Sequence, residues 1–333
     1  MLRRVLVAFA ILLVVVLAAA AIGLGWAHLA IRRERHPLPE AEALAAAIRG
    51  PDLPTRLSVL NTASQPMPRS AVLDPKRDPT PDAAYVMSHP SFVLEWADGR
   101  ILLIDAGMTR AGAVDFGKPL QWLAGAQAIA PHGSAAEQLA TALGRVQGAV
   151  FTHLHTDHVG GMTEICAERA GTIRVFMSTP QAEHTNYTTR PGRRLLSEVR
   201  CAEIDTIAGS GPLRSPGFPG VAVIRAGGHT PGSQIVVANV GTREDNRRYV
   251  FTGDIVNALD GIREQIPKPF LYRLLMVPED EERQGELRGF LRGLVEAGYV
   301  PLVSHDELAL AASGVPAWPR HPPEPAGTSG EQP

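Results

Sequence analysis

The 333-residue sequence has no surplus of either charge, since 32 basic and 34 acidic side chains leave a net charge of −2. An evenly mixed surface is not typical of nucleic-acid binding, so we expect no nucleic-acid partner. There is no Gly-x-Ser-x-Gly motif, so the sequence gives no sign of a serine nucleophile on a strand-to-helix elbow. Only two cysteines occur, Cys166 and Cys201, and the sequence leaves open whether they pair or remain buried thiols.

Charge is also missing from the whole of Val5–Trp26, a run of 22 residues that, as a helix, spans roughly 33 Å. Arginines flank the run on both sides, and Trp26 suits a membrane interface. We therefore predict that residues 1–36 form an uncleaved signal anchor. The alternative is a cleaved signal peptide, because Ala18–Ala21 offers small residues for cleavage. In either case we expect the rest of the chain outside the cytoplasm.

The remaining chain divides into three segments. Residues 37–54 are alanine-rich and end in prolines, which predicts a juxtamembrane stalk. Residues 55–312 carry alternating strand and helix patterns, which predicts a single α/β domain. Residues 313–333 are rich in proline, which predicts a disordered tail.

A β-hairpin is predicted early in this domain. Two apolar runs, Ser91–Trp96 and Arg100–Ile104, are separated by Ala97-Asp98-Gly99, and Asp-Gly between apolar runs favours a tight turn. The second strand leads directly into Asp105-Ala106-Gly107.

Three histidines and an aspartate then cluster in Phe151-Thr-His-Leu-His-Thr-Asp-His-Val-Gly-Gly161, directly after an apolar run. Residues two apart in extended backbone face the same way, so His153 and His155 can point at one centre. Asp157 and His158 follow about one turn later and can face a neighbouring centre. Imidazole and carboxylate are ligands that zinc and similar divalent ions prefer, so the spacing predicts a metal site.

This motif resembles the His-x-His-x-Asp-His signature of the metallo-β-lactamase superfamily. The family pattern continues with a histidine, an aspartate and a last histidine, each after a strand, and His229, Asp254 and His305 follow apolar runs in that order. The resemblance covers roughly residues 55 to 312 and implies a four-layer αβ/βα sandwich. It also implies that Asp105 supports the metal site without binding metal.

The same resemblance implies two metal ions. His153, His155 and His229 would hold one ion, while Asp157, His158 and His305 would hold the other. Asp254 would bridge the two. Zinc is the first expectation for histidine and carboxylate ligands, and iron or manganese also suits them.

Water between two such ions is acidified, so a bridging hydroxide is available at neutral pH to attack an electrophile. Asp157 would accept a hydrogen bond from it and shuttle its proton. The ending His305-Asp306 and the single-domain layout look like the acyl-homoserine lactonases and related ester hydrolases. Where those lactonases carry a tyrosine three residues after the bridging aspartate, this chain has Asn257, whose amide can donate to an oxyanion.

We therefore predict a metal-dependent hydrolase that cleaves a carboxylic ester or lactone in a small molecule. A thioester hydrolase of the glyoxalase II type is the first alternative. A phosphodiesterase is a second, although basic residues that would hold a phosphate are not evident beside the motifs. A mononuclear-iron persulfide dioxygenase, which would use mainly His153, His155 and Asp254, is a third.

Overall fold

The computed structural model describes residues 2–242 and 244–319, and two β-sheets dominate them. The first sheet has seven strands, in the order β4-β1-β2-β3-β5-β6-β7. They are β1 Arg56–Pro66, β2 Val86–Glu95, β3 Ile101–Ile104, β4 Ala130–Pro131, β5 Val146–Val150, β6 Ile173–Ser178 and β7 Ala202–Ile207. The predicted hairpin is confirmed, because β2 and β3 pair antiparallel with Glu95 opposite Ile101.

The second sheet has five strands, in the order β12-β11-β10-β9-β8. They are β8 Leu213–Arg214, β9 Val221–Arg225, β10 Gln234–Gly241, β11 Asn246–Phe251 and β12 Val300–Leu302. The apolar runs that precede the three distal motif residues therefore form β9, β11 and β12, as predicted. The pair β11–β12 is parallel, so both strands present their carboxyl ends at the same edge.

Helices precede, separate and follow the strands along the chain. They are α1 Leu2–Arg32, α2 Ala41–Ala47, α3 Arg110–Ala124, α4 Ala135–Leu139, α5 Thr156–Val159, α6 Met162–Glu168, α7 Thr179–Glu183, α8 Arg190–Glu198, α9 Asp260–Arg263, α10 Glu281–Glu296 and α11 Glu307–Ala312. Short 3-10 turns occur at Arg69–Ala71, Ala140–Arg145 and Gly253–Ile255, and a π-helical turn at Tyr272–Met276.

The core lies in three apolar layers. Between the sheets, alternate residues of facing strands interdigitate, including Phe92, Phe176 and Phe251. Outside the first sheet, residues of α4 and α6 cover β5 and β6, and outside the second sheet, α2 and α10 cover β9 and β10. The expected αβ/βα sandwich is thus confirmed, with its four layers held by apolar burial on both faces of each sheet.

Helix α1 is long and apolar enough to cross a membrane, and it is alone in this respect among the described residues. A signal sequence would meet the same criterion. Most of the helix stands clear of the domain, whereas Ala27 and Ile31 near its end are buried.

The segment predicted as a stalk, residues 37–54, packs on the domain in the structure. Leu44 and Ile48 are fully buried against β9, β10 and α10, because the alanine-rich helix α2 has one apolar face. Beyond residue 312, the domain extends further than predicted: Val315 and Trp318 are buried, and Trp318 N donates to Val59 O. Residues 320–333 of the expected tail lie outside the described residues. Cys166 and Cys201, left open by the sequence, form a disulfide.

Candidate metal centre

The strand ends of both sheets meet at one edge and bring the motif residues there. Asp105 follows β3, His153 follows β5, His229 follows β9, Asp254 follows β11 and His305 follows β12. Carboxyl ends of strands are the usual location of sites in α/β folds. His155 has extended backbone and caps the short helix α5, which carries Asp157 and His158 and turns them toward the same edge.

Three histidines form the first part of the site, which we call the histidine half: His153, His155 and His229. His153 Nε2 and His155 Nδ1 are 2.9 Å apart. Asp254 Oδ2 lies 3.6 Å from His153 Nε2 and 3.5 Å from His229 Nε2. Zinc binds imidazole nitrogen at about 2.0–2.1 Å, so one ion between these atoms would contact all four groups.

The second part, which we call the carboxylate half, contains Asp157, His158 and His305. His158 Nε2 and His305 Nε2 are 3.4 Å apart. Asp254 Oδ1 lies 3.2 Å from the first nitrogen and 3.0 Å from the second. Asp157 Oδ2 lies 3.5 Å from His305 Nε2 and 3.7 Å from His158 Nε2. Asp254 therefore turns one oxygen to each half, as a bridging ligand would.

The residues present fit divalent metal ions. His229 Nε2 and Asp157 Oδ1 are fully buried and have no hydrogen-bond partner among the described residues. A buried polar atom without a partner is costly, and both atoms belong to groups that face the cluster. The donors are imidazole nitrogens and carboxylate oxygens, which suit zinc, iron and manganese. The structure brings all seven predicted ligands together, and their binding of metal stays a prediction.

The two halves differ in their electrostatics. Burial, reinforced by neighbouring imidazoles, lowers the pKa of His153 well below its usual value and that of His155 to about 3. Burial and the charge of Lys268 also lower the pKa of His229. In the carboxylate half, burial acts in the same direction but is outweighed: Asp105 and Asp254 raise the pKa of His158 well above its usual value.

The aspartates respond in the opposite sense. Burial would raise the pKa of Asp254, but His305, His153 and His158 together hold it well below its usual value. Burial likewise opposes the ionisation of Asp157, yet His158 and His89 lower its pKa. Both carboxyl groups are therefore ionised across the neutral range, which is the state that binds a cation.

Asp105 supports the carboxylate half from outside it, as predicted. Its Oδ1 accepts from Thr152 N at 2.8 Å, and its Oδ2 lies 2.8 Å from both Thr152 Oγ1 and His158 Nδ1. These contacts hold the imidazole so that its Nε2 faces Asp254. Asp105 has φ of 57°, a conformation that non-glycine residues seldom adopt. The strained backbone thus belongs to the residue that orients His158.

A buried ion pair, not predicted from the sequence, supports the histidine half. Glu279 Oε1 lies 2.6 Å from His229 Nδ1, and Lys268 Nζ donates to the same oxygen at 2.6 Å. Lys268 also donates to the backbone oxygen of Asp254. No spacing in the sequence connects Glu279 to His229, which lies 50 residues earlier in the chain. Its role depends on the docking of the loop before α10.

His89 was also missed. Its Nδ1 is 3.3 Å from Asp157 Oδ2, and its ring packs edge-on against those of His305 and Phe116, with centroids 5.0 Å away in each case. Burial lowers its pKa to about 4. His89 stands just before the predicted strand at Ser91, in the sequence Ser-His-Pro, and that isolated histidine carried no spacing signal.

Asn257 is buried just beyond the turn that carries Asp254, and Tyr85 Oη donates to its backbone oxygen at 2.6 Å. Tyr272 is a further neighbour that the sequence did not indicate. Burial and the carboxylates of Glu279 and Asp254 raise its pKa well above the usual value, while a contact with Asn257 opposes the rise. The phenol therefore remains protonated at neutral pH and can donate a hydrogen bond.

Comparison with known proteins agrees with the motif and the geometry. The model of the metallo-β-lactamase superfamily matches residues 84–284, more than half of the chain. The chain belongs to the metallo-β-lactamase superfamily. It is a metal-dependent hydrolase. No curated protein matches the sequence.

Several solved structures share the fold. One is an N-acyl homoserine lactone hydrolase with N-hexanoyl-L-homoserine bound at its catalytic metal centre (TM-score 0.56, 16% identity, 78% of this chain and 96% of that one covered). A B. thuringiensis protein with N-decanoyl-L-homoserine at its active site has the same values. A probable metal-dependent hydrolase from Staphylococcus aureus follows (TM-score 0.52, 16% identity, 76% and 90% covered). At this identity the likeness establishes the fold of this superfamily member.

Proposed function

We propose that this superfamily member holds two divalent metal ions, with zinc as the preferred metal, and hydrolyses a carboxylic ester or lactone. The observation that carries the proposal is the position of Asp254, whose two oxygens face the two halves of the centre. His153, His155 and His229 would hold one ion, and Asp157, His158 and His305 the other. Two such ions supply an acidified water as nucleophile and a positive charge for the developing oxyanion.

The side chains around the ligands have complementary tasks. Asp157 is ionised and buried, so it can take a proton from the attacking water. Asn257, together with the protonated phenol of Tyr272, can donate hydrogen bonds to the carbonyl oxygen as it gains charge. Asp105 and the Lys268–Glu279 pair hold His158 and His229 in position.

Two considerations support an acyl substrate over a phosphodiester. Two similarly folded proteins hold N-hexanoyl-L-homoserine at the catalytic metal centre and N-decanoyl-L-homoserine at the active site, respectively. In this chain, the lysine that contacts the centre, Lys268, is buried and paired with Glu279, so its charge is already compensated. A phosphate with its negative charges would find less compensation here than a neutral ester would.

We also propose that residues 1–36 anchor the protein in a membrane, with residues 37–319 outside the cytoplasm. The disulfide between Cys166 and Cys201 supports this location, because such bonds persist in oxidising compartments. With the anchor retained, the protein should stay in the membrane pellet after alkaline carbonate washing. A shortened soluble product would instead show cleavage near Ala20.

The reaction is tested with the full chain, loaded with zinc and offered an aryl ester, a γ-lactone, a thioester, a phosphodiester and a β-lactam. We expect ester or lactone turnover to exceed phosphodiester turnover, with about two zinc ions per chain by elemental analysis. Asp115→Asn, an exposed aspartate on α3, is the matched control for ligand variants. Preferred turnover of the phosphodiester would overturn the acyl substrate, and one tightly bound iron with oxygen uptake on persulfide would overturn the hydrolase.

A further inference from the structure

Four large apolar side chains are exposed together beside the end of α1. Phe270, Leu271 and Leu275 are 62%, 64% and 55% exposed, and Tyr187 is 47% exposed. Tyr187 Oη donates to Leu275 O at 3.3 Å, which joins the loop after α7 to the π-helical turn. We call these four residues the apolar rim. Apolar side chains grouped on a surface mark an interaction site more often than single exposed ones do.

With α1 retained as the anchor proposed above, the rim would lie at the depth of a membrane interface. His28 Nε2 contacts Leu274 O at 3.1 Å, and Ala27 and Ile31 are buried, so the domain touches α1 just past Trp26. Trp26 is the last residue of the charge-free run, and arginines begin at Arg32. Tryptophan at the end of such a run favours the headgroup region. A surface attached at this point of the helix therefore lies at the boundary between lipid and water.

The orientation of the helix end is fixed by ion pairs. Glu34 lies 2.5 Å from His184 and accepts from Gly232 N at 2.6 Å. Arg35 pairs with Asp280 at 3.0 Å and with Glu282 at 2.7 Å. Gly232 and Asp280 are close in sequence to His229 and Glu279 of the metal centre. Glu34 and Arg35, which follow α1, therefore contact the same loops that position the histidine half.

A cleft of about 550 Å³ runs between α1 and the domain. Trp26, Ala27 and Ala30 line one side, while Asn186, Tyr187 and Leu275 line the other. Residues next in sequence to the domain side of the cleft contact the metal centre and its surroundings. Thr188, two residues beyond Asn186, lies with its Oγ1 3.0 Å from His155 Nε2. Tyr272, in the same turn as Leu275, interacts with Asn257.

We propose that the apolar rim rests in the lipid headgroup region and that the substrate is an amphiphilic ester taken from the bilayer. Its hydrocarbon chain would occupy the cleft beside α1, and its ester group would reach the metal centre past Tyr187 and Tyr272. We assign the lipid bilayer as the partner of the apolar rim, because α1 would enter the bilayer at the level of the rim. The substrate class rests on the proposed hydrolysis of carboxylic esters, whereas the docking of the rim does not.

Contact of the apolar rim with lipid can be measured by fluorescence, independently of enzyme activity. Both natural cysteines are in a disulfide, so Leu271→Cys introduces the free thiol, which takes an environment-sensitive dye. The full chain is reconstituted in phosphatidylcholine vesicles with and without lipids that carry a quencher at the headgroup–chain boundary. We expect strong quenching at residue 271 and little at Ile204→Cys, an exposed site on the edge strand β7.

Equal quenching at both positions would overturn the proposal. So would a label at residue 271 that is shielded in detergent and insensitive to the lipid quencher, because that result would assign the rim to a second copy of the chain.

The substrate class is measured with the double variant Phe270→Gln/Leu271→Gln, which alters rim residues that do not line the cleft, and with Ile204→Gln as control. We expect the double variant to keep turnover of a short water-soluble ester within about twofold and to lose at least about tenfold on a long-chain ester embedded in vesicles. Equal losses on both substrates would overturn bilayer delivery. If the unaltered chain cleaves no ester although residue 271 is quenched, the proposed function fails and the docking surface stands.

Discussion

The two halves of the metal centre share Asp254 but are built differently. In the histidine half, neutral imidazoles face one another, and the outer carboxylate of Glu279 is already balanced by Lys268. In the carboxylate half, Asp157, Asp254 and Asp105 surround two histidines. The first half therefore offers neutral donors to a cation, whereas the second offers excess negative charge.

The difference follows from the number of carboxylates that face the imidazoles in each half. In the carboxylate half, protons on His158 and His305 offset the carboxylates, which is why the pKa of each histidine is raised. In the histidine half, burial lowers the pKa of His153 and His229 by more than Asp254 raises it, so the imidazoles stay neutral. A metal ion would have to displace protons from one half but not from the other.

The largest loss of metal and activity should follow from removing the carboxylate of Asp254, which the two halves share. Asp254→Ala takes one oxygen from each half, so we expect the loss of at least one ion and a fall in activity of about 1000-fold or more, because metal-based stabilisation is worth several kcal/mol. Elemental analysis and turnover of the best ester would measure both. Asp115→Ala should leave both unchanged, and two retained ions in the Asp254 variant would contradict the bridge.

Asn257→Ala tests a residue that neither half uses as a ligand. Losing one oxyanion donor costs roughly 2.7 to 4 kcal/mol, so kcat should fall about 100- to 1000-fold with both ions retained. Steady-state kinetics should show a change mainly in kcat rather than KM. A decrease of less than about threefold would mean that the metal ions and Tyr272 stabilise the oxyanion without it.

Glu279→Gln and Asp105→Asn separate the halves through their outer partners. Each substitution removes a carboxylate that orients one ligand, so we expect metal affinity to fall about 10- to 100-fold in one half and to be unaltered in the other. Competition with a chelator would resolve the two sites. If either variant weakened both sites equally, the halves would not be independent.

The smallest effect concerns the metal-free protein and its pH dependence. The raised pKa of His158 gives stability that is present below its usual value of 6.5 and is lost as pH rises through the folded-state pKa. The lowered pKa of His155 has the opposite consequence: stability is present above 6.5 and is lost as pH falls toward about 3. The two halves should therefore weaken the fold at opposite ends of the pH scale.

Melting temperatures of the metal-free protein between about pH 5 and pH 9 would show this. We expect His158→Gln to flatten the alkaline side of the profile and His155→Gln to flatten the acidic side. The same change of slope in both variants would show that the two histidines do not differ in protonation.

The family motif and the strand before each of its residues could be read from the sequence alone, because these depend on local patterns, whereas the sandwich was implied only by the family resemblance. Apolar runs defined β3, β5, β9, β11 and β12, and the polar residues after each run marked the edge where strands end. The hairpin at Asp98-Gly99 and the supporting role of Asp105 were recoverable for the same reason, since turn chemistry and motif position are written in consecutive residues.

Contacts between distant segments were decided only by the tertiary structure. Lys268 and Glu279 reach His229 because the chain before α10 folds over β9, and His89 reaches Asp157 across the sheet edge. The disulfide and the packing of α2 and Trp318 likewise depend on which surfaces meet. A single sequence specifies the chemistry of each side chain but not which distant side chain it will contact. Those contacts arise only when the whole chain is packed.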